Sequence, residues 1–385
     1  MIGLGLTATE SAAYVQALAT SYQLRVRVQV MDTTHKVLDE VSDMLQSGQV
    51  TVDTSRDITR SASLELLDPK GVLPFDSNAP YDAALFMDRM LRITYGIRSP
   101  GLLDDWVDCP VFTGPISKLS RSGPVVNVEC LGKEWLAQRP AWLTKNYRIG
   151  TRRTAIIKDL LSSITGETRF NIDDWTLKTA HVFGVTRETD VWSLAKRMAA
   201  GRLLYYDGNG TLVCRPALAR SVYTFKQGTG GTLLSDPEID YQADEVRNIV
   251  WVVGGVPKGA KYPVQHTAYA DKNHPMSAQS LGRNGKSRHL VEKIEDNDLL
   301  KESDCKERAE AELTRFLQLY VSVGFDAIPV PFLEEHDAVT VQTDRFSQRF
   351  GLDQFVIPLV AGASSSVGYV ERRTANKSKI RRTRK

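Results

Sequence analysis

At 385 residues, 42% of them apolar and 25% charged, the chain is long enough for two or three compact domains and apolar enough to bury a core. These values exclude a fibrous or largely disordered protein, and the longest apolar runs, such as IVWVVGG at 249–255, fall far short of the ~20 residues that span a bilayer. The net charge of +3 hides an asymmetry: residues 372–385, RRTANKSKIRRTRK, hold eight Lys or Arg and no acid, and the remainder holds 41 basic and 46 acidic residues.

The N-terminus, MIGLGLTATESAAY, has neither a basic segment nor a sustained apolar one, so no secretory signal is expected. A short helix is expected over 7–22, with Thr9 as its cap. QLRVRVQVM then alternates strictly. Leu24, Val26, Val28 and Val30 share one face and Arg25, Arg27 and Gln29 the other, which predicts a half-buried strand. QVTVD and SASLELLD predict two more strands, followed by DPKG at 68–71, whose Pro and Gly suit a type I turn. MLRITYGI, WVDCPVFTGPISKLS and PVVNVECLG continue the series, with Pro110 and Pro115 implying an edge or a bulge. Short strands joined by turns point to a barrel or a sandwich.

Near residue 150 the period changes. Ile156, Ile157, Leu160, Leu161 and Ile164 repeat at helical spacing up to Gly166, a natural stop. A second helix is expected over 190–200, capped by Asp190, ended by Gly201, with Val191, Trp192, Ala195, Met198 and Ala199 on one face. LLYY and TLVCRP flank DGNG at 207–210. Residues 146–220 therefore form a small mixed module between two β-rich regions. Strands return in SVYTFKQ, TLLS, VRNIVWVVGG and QHTAYA, and a polar loop covers roughly 271–288. Cys305, Ala309, Leu313, Phe316 and Tyr320 then mark one long amphipathic helix with Ser303 as its cap, before further strands in HDAVTV and LDQFVIPLVAG.

The chemistry-bearing motifs are sparse. GLGLTA at 3–8 has no strand before it, as a dinucleotide fingerprint needs. GTGGT at 228–232 lacks the Lys and the helix of a phosphate loop. DGNG lacks the alternating oxygen donors and terminal Glu of a calcium loop, and its Gly and Asn suit a hairpin turn. Glu334, Glu335, His336 and Asp337 cluster in LEEHD. On an extended segment only alternate side chains converge, so a polar turn after Pro331 is favoured over a metal or acid–base site. His266 and His274 lie in a polar region without metal spacing, and Asp104, Asp105, Asp173 and Asp174 sit beside tryptophans. No G-x-S-x-G nucleophile motif is present. Cys109, Cys130, Cys214 and Cys305 form no C-x-x-C pair and are expected to be reduced and packed, which suits assembly in a cytoplasm. No catalytic, cofactor or metal residue is expected.

Taken in order, the basic alternating strand, GQVTVD, RSASLELLDPKGVLPF, VFTGPIS, VVNVECLG, TRRTAIIKDLLSSI, VWSLAKRMAAGRLLYYDGNGTLVCRP, VRNIVWVVGG, the Ala- and Glu-rich helix and HDAVTV resemble the tail-hub (minor tail) proteins of long-tailed actinobacterial phages. The resemblance covers most of residues 24–370. It implies likeness to the central hub of contractile-tail baseplates: a homotrimer whose subunits each carry two β-barrel domains related to the tail-tube fold, so that six barrels meet a six-fold tube.

The expected fold is therefore α+β and mainly β. A short N-terminal arm or helix covers 1–23, a first tube-like barrel 24–145, the mixed α/β module 146–220, a second barrel with the long helix 221–370, and a basic tail 371–385. The expected function is that of a non-enzymatic virion protein of the tail tip, assembled in the host cytoplasm. It would close the tail tube and link it to the distal tail, tape measure and fibre or spike proteins for host attachment and DNA delivery. The rivals are a tail-associated cell-wall hydrolase and a host-surface binding module. Larger hubs continue into enzymatic extensions, whereas this chain stops after its short tail, so hydrolase activity is expected of another protein. Arg372, Arg373, Lys377, Lys379, Arg381, Arg382, Arg384 and Lys385 are expected to contact an anionic partner, either DNA or an acidic protein face.

Overall fold

The computed structural model describes residues 4–371 apart from 72, 74–84, 88, 180–181, 200, 217–219, 242–245, 319–320 and 363–364. Tyr320 and all eight basic side chains of the tail lie outside the described residues.

The first helix, Ala8–Ala19, is capped by Thr7 rather than Thr9. The Thr7 side chain accepts from the Glu10 amide, and the Glu10 carboxylate accepts from the Thr7 amide at 2.8 Å, a reciprocal capping box. Its Tyr14, Ala17 and Leu18 are buried in the main core. The alternating strand Gln23–Met31 pairs along its length with Met90–Ser99, sinking Val28 and Val30 beside Leu91, Ile93, Tyr95 and Ile97. Strand Leu103–Ser122 is 20 residues long and changes partner midway. Its first part pairs with Met90–Ser99 and its second with Val125–Leu131, with register slips beside Pro110 and after Ile116. Proline donates no ladder hydrogen bond, which is why the slip sits there.

The two β-rich regions are joined by direct strand pairing. Val125–Leu131 pairs with Arg60–Leu67, and Arg60–Leu67 with Leu45–Asp53. Leu45–Asp53 then takes Ser347–Pro358 on its other side. Beyond it lie Ser365–Glu371, Val321–Ala327 and Glu238–Tyr241, while Ala338–Gln342 and Tyr223–Lys226 branch from Ser347–Pro358. The result is one 13-stranded sheet around one core that runs from Tyr14 to Val367. Among the described residues its pairing order does not close on itself. It ends at Val37–Glu40 on one side and at Glu238–Tyr241 on the other. Two closed barrels were expected; instead, the side of Leu45–Asp53 that would close the first region carries a strand from the second.

The middle of the chain packs a core of its own. Helix Arg153–Thr165 ends at Gly166 in the left-handed region at φ 69°. Helix Val191–Ala199 follows Asp190, whose carboxylate accepts from the Ser193 amide at 2.6 Å. Ile156, Ile157, Leu160, Leu161, Trp192 and Met198 meet between them. Hairpin Leu203–Tyr206 and Leu212–Arg215 extends to Phe170–Ile172 in parallel.

A third core lies between strand Ile249–Gly254, with Gln265–Tyr269 and Val291–Asp296 on its flanks, and helix Glu302–Gln318. Cys305, Ala309 and Leu313 are its buried helical side chains. Ser303 falls inside the helix rather than before it, so it is not the cap. The four cysteines are all buried and unpaired.

Candidate functional site

The hairpin turn of the middle module is driven into the main sheet. Asp207–Gly210 closes the hairpin, with the Asp207 amide donating to Thr211 O at 3.0 Å and Gly210 at φ 74°. The Gly208 amide donates to Glu334 Oε1 at 3.1 Å, and Thr113 Oγ1 donates to Gly208 O at 3.1 Å. Lys133 Nζ donates to Gly210 O at 3.0 Å and Arg169 to Asn209 O at 2.8 Å. A Cβ on Gly208 would stand 2.4 Å from Pro110 O, so only glycine lets the turn seat this deeply. The turn carries no calcium in this reading, and neither calcium nor a chelator should change the melting temperature; a shift that saturates with calcium would contradict it.

Beneath the turn lies a buried charge cluster. Arg60, from the start of its strand, donates to Glu334 Oε2 at 2.8 Å and to Val111 O at 2.6 Å, and its Nε stands 3.5 Å from Glu335 Oε1. Arg215, at the end of the hairpin, pairs with Asp337 at 3.1 Å. Glu134 accepts from Thr59 Oγ1 at 3.0 Å and from the Tyr206 amide at 3.3 Å. Lys133 pairs with Glu167. The junction thus ties together the main sheet, the short helix Glu134–Ala137, the hairpin and the 330–337 turn.

LEEHD is a turn, as expected, but not a surface one. The Glu334 amide donates to Asp337 Oδ2 at 3.0 Å, His336 takes φ 58°, and Glu334, Glu335 and Asp337 are fully buried. The rule that only alternate side chains converge holds for strands. In this turn the neighbours Glu334 and Glu335 both reach Arg60. Among the described residues no group of three or more His, Cys, Asp or Glu side chains is arranged to hold a metal. Asp104, Asp105, Asp173 and Asp174 are exposed, and Asp174 pairs with Arg152. His266 stands 4.0 Å from Glu302.

Burial pushes the Glu334 carboxyl up to about 7 against the pull of Arg60, and raises Glu335 and Glu134 as well. An acid raised by folding stabilises most below its unfolded value and loses that stability as pH rises through the folded one. His35 acts in the opposite sense, because burial lowers it to about 4 and its effect ends near 6.5. Stability should therefore fall between pH 6.5 and about 8, and Glu334→Gln should flatten the fall. Melting curves across that range check this; an equal slope in both proteins would contradict it.

The cluster was only half visible in the sequence. LEEHD clusters in the sequence, but Arg60 and Arg215 are single charged residues at strand ends and Glu134 one in a short helix, and only the fold brings them together. No helix among the described residues is long and apolar enough to cross a membrane.

No family model matches the chain, and no curated protein does. Solved structures share its fold. A tail protein from Neisseria meningitidis MC58 superposes with a TM-score of 0.60 at 11% identity, over 90% of this chain and 97% of its own. The 43 kDa tail protein of prophage MuSo2 from Shewanella oneidensis gives 0.58 at 12% identity, over 91% and 98%. Prophage tail protein gp18 from Listeria monocytogenes EGD-e gives 0.53 at 11% identity, over 90% and 95%. The likeness is one of fold and takes in nine-tenths of the chain.

Proposed function

We propose that the chain is a structural protein of a phage tail tip: a homotrimeric hub that closes the distal end of the tail tube. It joins the tube to the distal tail, tape measure and fibre or spike proteins, within the virion. The observation that carries this reading is the extent of the shared fold, which takes in nine-tenths of this chain and nearly all of each tail protein. The sheet supports it physically. An open sheet offers different surfaces on its two sides, and a head-to-tail contact between such surfaces closes into a ring when the rotation between copies closes. The role is non-enzymatic. Of the carboxylates that the sequence clusters, Glu334 and Asp337 fasten the module to the sheet through Arg60, the Gly208 amide and Arg215, and Glu335 lies against Arg60. The tail proteins that share this fold come from Neisseria, Shewanella and Listeria, so the fold does not point to an actinobacterial host.

Light scattering on the concentrated protein tests the assembly, with the mass of three chains expected and a monomer at every concentration against it. A zymogram on host walls tests the rival hydrolase. A cleared band at this chain would favour that reading.

A further inference from the structure

One end of the main sheet is uncapped in an informative way. Among the described residues strand Glu238–Tyr241 pairs only with Val321–Ala327, and all four of its residues are exposed, Tyr241 at 75%. Glu238 and Asp240 share one face, and neither has an ion pair among the described residues; Ile239 and Tyr241 share the other. A free edge with apolar residues is a template for a further strand.

The chain's own last segment emerges beside that edge. Asp240 stands opposite Ser322, and Ser322 opposite Val370, so the chain leaves the sheet at Glu371 two strand spacings, ~10 Å, from Asp240. The following sequence alternates as an edge partner should. Lys377, Lys379 and Arg381 fall on one face, and Ser378 and Ile380 on the other.

We propose that the free edge Glu238–Tyr241 is the docking site of this chain's own basic segment. That segment adds as an antiparallel strand with Ser378 opposite Tyr241, Lys379 opposite Asp240, Ile380 opposite Ile239 and Arg381 opposite Glu238. The register places each cation against a carboxylate and the isoleucines against each other. A slip of one residue would set Ile380 against an acid and the cations against Ile239 and Tyr241. The reach suffices: the seven residues from Glu371 to Ser378 span up to ~23 Å, and a strand added outside the edge lies about three strand spacings, ~15 Å, away. Direction agrees too, since Glu238–Tyr241 and Ser365–Glu371 both run antiparallel to Val321–Ala327, and a segment turning back runs antiparallel to the edge. Tethering favours the chain's own edge over that of a second copy, because a short linker holds the two at millimolar effective concentration. The segment thereby covers an edge that would otherwise invite stray pairing.

Amide exchange at 238–241 in the full chain at low salt tests this. The Lys379→Glu/Arg381→Glu variant should exchange ~5–10-fold faster there than the wild type. Adding Glu238→Lys and Asp240→Lys to that variant should restore the protection. Protection should survive a dilution of about 100-fold, as an intramolecular contact does. The altered tail residues follow the last strand, and circular dichroism confirms the fold of each variant. Equal exchange in wild type and Lys379→Glu/Arg381→Glu overturns the proposal, as does protection lost on dilution, which assigns the segment to a second copy. Edge amides that exchange more rapidly once a DNA duplex of about 20 base pairs is bound support the docking. Tail-dependent binding of that duplex with no protection of the edge in its absence assigns the segment to nucleic acid instead.

Discussion

Replacing Arg60 with Met should lower the unfolding free energy by ~3–5 kcal/mol. The side chain is almost wholly buried, and it is the cation shared by Glu334 and Glu335, with Glu134 and Asp207 also within its field. Methionine fills much of the volume but leaves these acids without their counter-charge, in a site where burial has already raised them. The pair itself is not a large net source of stability. The cost comes from stranding its partners. Glu334→Gln and Glu335→Gln placed on the Arg60→Met background should therefore recover part of the loss, a coupling that a double-mutant cycle reads directly. Denaturant titration checks both. A loss below ~1 kcal/mol would mean that the carboxylates are held neutral without Arg60.

Leu313→Ala should cost ~2–5 kcal/mol. Leu313 is buried with Cys305 and Ala309 against Val250, Val252 and Ala268. This third core is small, so a cavity there has few neighbours to collapse into it. Its Phe316 and Leu317 are only partly buried, and Leu317 also touches the main core, so the loss should spread to the helix end. Thermal unfolding of the variant measures the effect, and an unchanged transition would mean that the helix does not stabilise the sheet beneath it.

Local structure was legible wherever one element decides it. Strict alternation placed Gln23–Met31, Asp190 and Gly166 bounded their helices, and the Gly and Asn content of DGNG fixed a hairpin. Caps were less legible, because Thr7 and Thr9 have the same chemistry and only Thr7 has Glu10 three positions later. What local pattern could not convey is which strands meet across the chain. Leu45–Asp53 and Ser347–Pro358 each read as an ordinary strand, and nothing in either announces the other, so two regions seemed two barrels. The junction was hidden for the same reason. Arg60 and Glu334 stand 274 residues apart in sequence, and their meeting depends on that long-range pairing.

A reconstruction of the tail tip of particles carrying this chain tests the hub reading most directly. A trimeric hub predicts three copies around the tube axis, each fitting the 13-stranded sheet with its module hairpin seated beside Arg60. Six copies in one ring, or density for this chain found only away from the tail tip, would contradict it.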